Sequence, residues 1–444
     1  MGARTMAVPA AWQPWGAALW GRIKRVLGLD RAGAKASATA RSLPAAAPAT
    51  RAARKTVAPN EAFTPTRPRA GRRALVGRHA ELTIALQALT DEAAHVVLYS
   101  ERGRGKTSLA NLVVERLRRG GVIVGRHACD AASDFDQIIR GLLRDLPASL
   151  LPGDDTGAAD GDGCLGVLPQ GKLLPADIAA IPGRLSCNKI VFVVDEFDRV
   201  QDEVTRTRLT DTIKMLSDRG DRLLFMIVGV STTLEHILGQ HPSIERNITS
   251  LHLPLLTDDE IAEMLTRGGH AIGVTFTDAA CVRVAGVARG MPYMAQLMGL
   301  RITQMALLRG ASETSAADVA AAVERLVTDV SPETVGKYAM LMAGADGEAV
   351  QAALQDIAQA PQDKWGRMTL PAGLAAAPHG LEKLLDSDVL LPAAGAPGRF
   401  QYADRKLIYY VLLLAARGGG AAAATRHNSQ WPAPAPRSAS TAAH

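Results

Sequence analysis

The chain has 444 residues, of which 47% are hydrophobic, and its formal net charge is +6 at pH 7. This length exceeds what one compact core accommodates, so we expect two or three packed units flanked by tails. The scattered cysteines exclude a zinc scaffold, and the lack of an apolar run of roughly 20 residues excludes a membrane-spanning helix, which favours a soluble cytoplasmic protein.

The first 73 residues form a basic arm. They contain 14 Lys and Arg against two acidic residues, whereas the rest of the chain has an excess of acidic residues. Residues 1–30 are a Trp-rich amphipathic segment whose tryptophans and aliphatic residues recur near helical spacing between basic residues. We expect residues 12–27 to bind an anionic membrane surface, with the protein then peripheral at a membrane, or to dock in a partner groove. Packing of this segment against the body of the protein is the alternative.

Three other stretches are predicted to be irregular. Residues 31–73 and 417–444 are rich in Ala, Pro, Arg and Ser, a composition that buries too little apolar surface to fold, so they are interpreted as a disordered linker and a disordered tail. An insertion at about 147–188 contains a Gly- and Asp-rich run. Because the twelve-residue calcium loop with its closing Glu is absent there, we interpret the run as a solvated surface insertion.

After the arm, apolar runs alternate with amphipathic segments. Buried strands are predicted at HVVLY (95–99), VIVGRHA (122–128), KIVFVVDEF (189–197) and DRLLFMIVGV (221–230). Helical periodicity lies between them, as in KTSLANLVVERLRRGG and in SDFDQIIRGLLRDL, which Ser133 is expected to open. Strands of continuous apolar character between such helices predict an α/β fold with a parallel sheet sandwiched by helices.

A phosphate-binding loop is predicted at YSERGRGKTSL, residues 99–109. The usual pattern is G-x-x-x-x-G-K-[ST], and Ser100 stands at the first glycine position, at a cost of about 1 kcal/mol only if its backbone is left-handed. In such a loop, backbone N–H groups and a helix N-terminus bind phosphate oxygens, Lys106 neutralises their charge, and the Thr107 hydroxyl ligates Mg²⁺. The candidate nucleotide-binding residues of the loop are Ser100, Glu101, Arg102, Gly103, Arg104, Gly105, Lys106, Thr107 and Ser108.

An acidic pair ends the strand VFVVDEF. Asp195 and Glu196 lie at the carboxyl end of this strand, where open parallel sheets bind their ligands. We expect Asp195 to hold Mg²⁺, directly or through water, and Glu196 to orient and polarise the attacking water. Neighbouring strand residues point to opposite faces, so Glu196 can act only if the chain turns out of the sheet at that point.

Together these motifs resemble the AAA+ ATPases, and within that family the origin-recognition-like branch of bacterial ATP-binding proteins, over about residues 74–415. LVGRHAEL at 75–82 is similar to the family's V-G-R-x-x-E-L segment, which places Val76 and Gly77 beside the adenine. The resemblance implies a P-loop NTPase (AAA+) domain at 74–255 that binds ATP with Mg²⁺.

Two further positions are assigned by this resemblance, and one departs from it. Ser231 stands where the family's sensor contacts the γ-phosphate side, and Arg246 stands where many members carry an arginine finger for a neighbouring subunit's nucleotide. In ARGMPYMAQ, Tyr293 replaces the arginine of the family's G-x-P-R sensor, with Arg289 as an alternative carrier of the charge. Loss of that arginine weakens contact with the γ-phosphate, so we expect slow hydrolysis and better-preserved binding.

The C-terminal half is expected to hold two more units. LHLPLLTDDEIAEML resembles the passage into an α-helical lid at 256–330, with Thr257 or Asp258 capping its first helix. Residues 331–416 resemble the winged-helix unit that follows the lid in this branch. This segment has a small excess of acidic residues, which favours contact with a protein over contact with DNA.

The sequence therefore predicts an ATP-binding AAA+ protein, a slow Mg²⁺-dependent ATPase that acts as a nucleotide-driven conformational switch, with a homo-oligomer or a client protein as partner. Its catalytic residues would be Glu196, Ser231 and Arg246. One alternative is a DNA-associated loader or transposition-type regulator that uses the basic arm for phosphate contacts. Another is a signalling or scaffold ATPase recruited to a membrane or partner by the Trp-rich segment.

Overall fold

The computed structural model describes residues 57–65, 76–151 and 163–417, with short gaps at 188, 221, 232, 235–236, 238–244, 345, 372–373 and 375–377. The Trp-rich segment, most of the predicted linker and tail, and the four aspartates of the Gly- and Asp-rich run lie outside the described residues. Within the described ranges, no helix combines the length and hydropathy that a bilayer-spanning segment needs.

Five strands form one sheet in the order β2-β3-β4-β1-β5, and every neighbouring pair is parallel. They are β1 (His95–Ser100), β2 (Ile123–Ala128), β3 (Ile190–Asp195), β4 (Leu223–Val230) and β5 (Ile248–His252). Because parallel strands end at one edge, the residues after β1, β3 and β4 come together there. The order and polarity, with helices on both faces, confirm the predicted P-loop NTPase type of α/β sheet.

Helices cover both faces of this sheet. In chain order they are α2 (His79–Thr90), α3 (Lys106–Arg119), α4 (Phe135–Arg144), α5 (Pro175–Ala179) and α6 (Glu203–Arg219). A short helix that precedes them, α1 (Pro59–Ala62), packs on helices that follow the sheet. Alternate residues of β3 enter opposite cores: Val191 and Val193 pack with α2 and α3, and Phe192 and Val194 pack with α4 and α6. The strand is buried along its whole length, which explains its continuous apolar sequence.

The insertion is less exposed than its composition suggests. Its described parts include α5 and three short 3-10 helices, Ala148–Leu150, Leu165–Val167 and Ile181–Arg184. Apolar side chains from these segments, such as Ile178 and Ile181, are buried in the core that also contains α4 and α6. The described parts of the insertion therefore pack onto the sheet domain rather than standing free in solvent.

Eight helices and a hairpin follow the sheet among the described residues: α7 (Asp258–Ile272), α8 (Asp278–Ala288), α9 (Pro292–Leu308), α10 (Ala316–Thr328), α11 (Pro332–Met342), α12 (Gly347–Gln359), α13 (Pro378–Asp386), β6 (Leu390–Pro392), β7 (Phe400–Tyr402) and α14 (Arg405–Arg417). We call α7–α10 the lid and α11–α14 with its antiparallel hairpin the C-terminal unit. One continuous core joins them, because α10 and α14 pack against each other.

The prediction that residues 31–73 are structureless is wrong at 57–65. Pro59–Ala62 form α1, and the Phe63 side chain is fully buried in the core of the lid. Two lid glycines make room for its ring, because a Cβ added at Gly268 or Gly299 would lie within 2.6 Å of it. Burial of Phe63, together with the neighbouring Ala62, anchors the chain there, which average composition does not reveal.

Helix starts follow capping chemistry, with one difference from expectation. Asp134, not Ser133, caps α4, since its carboxylate accepts from the Gln137 N–H at 2.8 Å. Ser133 instead accepts from the Asp130 N–H in the preceding turn. Thr257 caps α7 as expected, by accepting from the Glu260 N–H at 3.1 Å.

Candidate nucleotide-binding site

The predicted phosphate loop connects β1 to α3 at the carboxyl edge of the sheet. Gly103 and Gly105 both have left-handed backbone, with φ of +87° and +92°. Only glycine adopts these angles freely, so the loop requires both. Ser100 is the last residue of β1 and has no left-handed backbone, so serine at this position carries no strain. The substituted first position therefore leaves the shape of the loop intact.

Lys106, the first residue of α3, lies over the loop. Its buried ammonium donates to the Ser100 carbonyl at 2.8 Å and to the Glu101 carbonyl at 2.9 Å. Burial lowers the pKa of Lys106 to about 8, although Asp198 and Asp195 favour its charged form. The ammonium is thus held at the helix N-terminus, where positive potential from the backbone adds to its own charge.

The two carboxylates of the acidic pair, Asp195 at the end of β3 and Glu196 directly after it, lie in different environments. Asp195 is buried, and its Oδ1 accepts from the Glu196 N–H at 2.9 Å. Glu196 has left-handed backbone, with φ of +55°, so the chain does turn out of the sheet at this residue. Its side chain is exposed and accepts from Arg199 at 2.9 Å. The left-handed turn therefore frees the second carboxylate from the strand, as its expected role requires.

Arg126 is a member of this site that the sequence did not reveal. It lies on β2, the strand beside β3, and its Nη2 donates to Asp195 Oδ2 at 2.7 Å. Its other Nη donates to Asn111 on α3. A basic residue two positions before the end of an edge strand was the available signal. Its pairing with Asp195 depends on the register, because Ala128 aligns with Asp195 and Arg126 shares that face.

The residues at this edge suit Mg²⁺ in their chemistry. Thr107 and Asp195 offer the oxygen ligands that this ion prefers, and Mg²⁺ commonly takes only one or two ligands from protein and the rest from phosphate and water. Each carboxylate oxygen of Asp195 already accepts one hydrogen bond, so Mg²⁺ ligated there would share the carboxylate with Arg126. Among the described residues no cluster of three or more His, Cys, Asp or Glu forms another metal site.

The two residues assigned by resemblance after β4 lie at different distances from the loop. Ser231 follows β4, and its N–H donates to the Ser100 carbonyl at 3.3 Å, so it touches the loop. Its hydroxyl donates to the Thr233 carbonyl at 2.7 Å. Arg246 lies in the short 3-10 helix Glu245–Asn247 before β5, and its side chain is exposed.

The segment at Val76 and Gly77 lies beside the loop and the lid. Val76 is buried, and a Cβ added at Gly77 would lie 2.5 Å from the Glu260 carboxyl group of α7. Arg78 donates to the Pro254 carbonyl at 2.7 Å and to the Arg104 carbonyl at 3.4 Å. This segment therefore connects the phosphate loop with the first helix of the lid.

The lid contributes Tyr293 where the resembled family has an arginine. A Cβ added at Gly103 would lie 3.4 Å from Tyr293 Cβ, so the start of α9 does approach the loop. Arg289 does not take the place of the arginine. It is buried and donates to the Ala360 carbonyl of the C-terminal unit. Tyr293 can offer a hydroxyl but no positive charge at this position.

Several side chains of the loop face away from its interior. Arg104 is fully buried and donates to the Leu253 carbonyl at 2.9 Å and the Trp365 carbonyl at 2.6 Å. Glu101 lies between Arg104 and Arg405 of α14. Arg102 is exposed, and Thr107 and Ser108 are partly buried. The loop can therefore bind phosphate through its backbone, Lys106 and Thr107, while Glu101 and Arg104 bind the rest of the protein.

Comparison with known proteins gives weak likenesses. No protein-family model matches the chain. It is similar to the RuvB Holliday junction branch migration motor of Thermotoga maritima, with 18% identity, 75% of this chain and 95% of that chain covered, and a TM-score of 0.39. It is also similar to ORC2 of Aeropyrum pernix, whose structure contains ADPNP and ADP, with 17% identity, 81% of this chain and 98% of that chain covered, and a TM-score of 0.46. Cdc6p of Pyrobaculum aerophilum is similar with 13% identity, 80% of this chain and 97% of that chain covered, and a TM-score of 0.44. Sequence identities and TM-scores this low do not indicate what the chain does. Its activity has to be argued from its own residues.

Proposed function

We propose that the chain binds ATP with Mg²⁺ at the phosphate loop and acts as a nucleotide-driven conformational switch of the AAA+ type. The observation that carries the proposal is the left-handed geometry of Gly103 and Gly105 directly before Lys106 at the N-terminus of α3. This arrangement directs backbone N–H groups and a buried ammonium to one place, which suits a phosphate group. Mg²⁺ would neutralise phosphate charge beside Thr107 and Asp195.

A lysine substitution tests the binding proposal. Lys106→Ala removes the ammonium from the loop, and we expect no measurable ATP or ADP binding by isothermal titration calorimetry. Lys214→Ala, on the exposed side of α6, is the matched control and should bind as the wild type does. Equal affinity in the wild type and Lys106→Ala would show that this loop is not the nucleotide site.

Hydrolysis is proposed to be slow and to depend on Glu196. Its exposed carboxylate follows the turn after β3, within the same edge of the sheet as Asp195, and can polarise water. Tyr293 leaves the lid without the positive charge that would stabilise the developing charge on the γ-phosphate. Glu196→Gln should keep ATP affinity and lose turnover, measured by phosphate release. Undiminished phosphate release would remove Glu196 from the reaction.

Arg246 is proposed to act on the nucleotide of a neighbouring copy of the chain. It lies just before β5, whose first residue Ile248 aligns with the start of β1, so it is at the amino edge of the sheet, and its exposed side chain is accessible to a partner. Arg246→Ala should retain affinity and lose rate, and the specific activity of the wild type should rise with protein concentration as a homo-oligomer forms. A specific activity that is independent of concentration would exclude this role.

The basic arm supports a second candidate function, that of a DNA-associated ATPase. Fourteen basic residues in the first 73 would supply phosphate contacts, whereas the proposed winged-helix-like C-terminal unit has no excess of basic residues and suits a client protein. Duplex binding should then depend steeply on salt and disappear when residues 1–56 are deleted. This deletion spares Phe63, which is part of the lid core. Co-sedimentation with anionic vesicles tests the scaffold alternative with the same two proteins.

A further inference from the structure

The C-terminal unit holds the phosphate loop directly. Arg405, the first residue of α14, donates through Nε to Glu101 Oε2. Glu101 also contacts Arg104 Nη2 at 3.3 Å. Both glutamate and arginine side chains are largely buried, at 15% and 12% exposure, so water screens their attraction little. A carboxylate inside the loop is thus bound by a cation that lies more than 300 residues away in sequence.

Arg104 makes a second link between the loop and the C-terminal unit. Its guanidinium donates on one side to Leu253, just after β5, and on the other to Trp365. Gly366 allows the guanidinium groups of Arg104 and Arg405 to lie close to the backbone of residue 366. A Cβ at this position would lie 2.6 Å from Arg405 Nη2 and 2.9 Å from Arg104 Nη2. The backbone of the C-terminal unit is therefore shaped around both guanidinium groups.

An aromatic stack fixes the same contact from the side of the sheet. Tyr99 of β1 stacks on His252 of β5 at 4.9 Å, and His252 stacks on Trp365 at 4.4 Å, with rings nearly parallel. Burial lowers the pKa of His252 to about 4, so its ring is neutral at physiological pH. The Leu255 N–H also donates to the Lys364 carbonyl at 2.7 Å. Residues 364–366 are thus anchored to the end of β5 and, through His252, to β1, the strand that leads into the loop.

The charged states of Glu101, Arg104 and Arg405 depend on one another. Burial alone would raise the pKa of the Glu101 carboxyl, but Arg405 and Arg104 hold it below its ordinary value. Burial opposes the charged form of Arg405, yet Glu101 outweighs this and the pKa of Arg405 is raised. Removal of Arg405 leaves Glu101 with its 3.3 Å contact to Arg104 alone, and removal of Glu101 leaves the buried Arg405 guanidinium without a carboxylate, so separation of the loop from the C-terminal unit is costly.

We infer that Arg405 is a positioning residue for the phosphate loop, and that nucleotide binding and docking of the C-terminal unit strengthen each other. The loop binds phosphate through backbone N–H groups whose direction depends on where its side chains are anchored, and Glu101 and Arg104 are those anchors. Linkage is reciprocal, so if docking favours nucleotide binding, nucleotide favours docking by the same factor. The inference rests on the proposed function.

A double-mutant cycle tests the inference. Arg405→Gln and Glu101→Gln should each weaken ADP affinity about five- to tenfold, the low end of typical coupling between sites. The double variant should be no weaker than the worse single variant, because both substitutions remove one interaction. The matched control is Lys337→Gln, which breaks the 3.1 Å pair with Asp404 beside Arg405 without touching the loop. It should bind ADP as the wild type does.

Arg405→Lys guards against failure of Arg405→Gln to fold. It keeps the charge and loses the fixed geometry of the guanidinium, so its ADP affinity should lie between those of the wild type and Arg405→Gln. If Arg405→Gln does not fold, a lysine variant that folds and binds ADP as the wild type does overturns the inference. Circular dichroism and thermal melting establish which variants are folded before their affinities are compared.

Amide hydrogen exchange measured with and without ADP distinguishes coupling to the nucleotide from a purely structural role of Arg405. ADP should slow amide exchange in residues 400–417 of the wild type and of Lys337→Gln, and leave it unchanged in Arg405→Gln at saturating ADP. Two results would overturn the inference while the proposed function stands. One is an ADP affinity of Arg405→Gln equal to that of the wild type, and the other is amide exchange in residues 400–417 of the wild type that does not change when ADP binds. No ADP binding by the wild type overturns the proposed function and this inference with it.

Discussion

Arg126 and Asp195 form an ion pair at the carboxyl edge of the sheet, with Arg126 Nη2 2.7 Å from Asp195 Oδ2. Asp195 is nearly inaccessible to water, whereas about a third of the Arg126 side chain is exposed. In the absence of a metal ion, the arginine is therefore the group that neutralises this buried carboxylate. A Mg²⁺ ion at Asp195 would be a second cation beside this carboxylate, so it would compete electrostatically with Arg126.

Arg126→Gln should lower the Mg²⁺ concentration at which ATP binding is half-maximal, by about three- to tenfold, because the ion no longer competes with a cation. Without nucleotide, the variant should lose about 2 kcal/mol of stability, less than a fully buried pair would lose. Calorimetry across a Mg²⁺ series and urea unfolding measure the two effects. The control is Arg140→Gln on α4, whose side chain donates to the Pro169 and Gly171 carbonyls of the insertion, and it should show neither effect.

Nucleotide affinity should fall above about pH 8. Burial lowers the pKa of Lys106 from 10.5 to about 8, and only its protonated form neutralises phosphate. We expect ADP affinity to decrease between pH 8 and 9.5, by at most about tenfold per pH unit. Lys106→Arg stays charged throughout, so its weaker binding should be independent of pH in this range. A flat pH profile in the wild type would contradict protonation of Lys106 as the cause.

The same lowered pKa predicts a pH dependence of stability. The unfolded chain binds the Lys106 proton more tightly than the folded protein does, so charged Lys106 disfavours folding below pH 8. This cost disappears as the pH rises from about 8 to 10.5. The stability difference between Lys106→Met and the wild type should therefore shift in favour of the wild type by up to about 3 kcal/mol over that window. Urea unfolding without nucleotide measures it.

Tyr293→Arg should raise the rate of ATP hydrolysis. Tyr293 is 39% exposed and its Cβ lies against the phosphate loop at Gly103, so a longer cationic side chain can reach toward bound phosphate without entering the core. An added positive charge at the developing negative charge is worth roughly tenfold or more. Single-turnover phosphate release measures the rate. Tyr293→Gln is the uncharged control, and an equal increase in that variant would rule out the electrostatic explanation.

Phe63→Ala should destabilise the lid by about 3–5 kcal/mol, the usual cost of truncating a buried phenylalanine. The ring is fully buried and meets Phe276 edge to face at 6.0 Å. Asn60→Ala, on the exposed side of α1, should change stability by less than about 0.5 kcal/mol. Urea unfolding separates the two. Similar stability in Phe63→Ala and the wild type would mean that residues 57–65 contribute nothing to the lid core.

Four of the five strands, β1 to β4, could be predicted because each of them carries a local signal. Continuous apolar runs such as residues 190–195 indicate strands buried on both faces, and the glycines of the phosphate loop indicate a turn with left-handed backbone. The left-handed turn at Glu196 was also foreseeable, because adjacent carboxylates cannot both reach one edge from a regular strand. These features depend on residues close together in the chain.

The partners of the site could not be predicted, because they depend on register and on packing between distant segments. Arg126 reaches Asp195 only because β2 pairs with β3 in the observed register. Glu101 and Arg104 were expected among the nucleotide-binding residues, and nothing local shows that their side chains contact Arg405 and Trp365 instead. The burial of Phe63 likewise depends on glycines more than 200 residues later.

The shared core of the lid and the C-terminal unit limits how the protein can move. One apolar cluster contains Phe63 and buried side chains of both the lid and the C-terminal unit, as far as Leu413. Separating α10 from α14 would expose this cluster to water. Both units should therefore rotate together as one rigid body against the sheet. The joint for this rotation is the five-residue passage from Leu253 to Thr257, between β5 and α7. A small shift there, at the edge where Arg104 is anchored, would be amplified into a large displacement at the far end of α14.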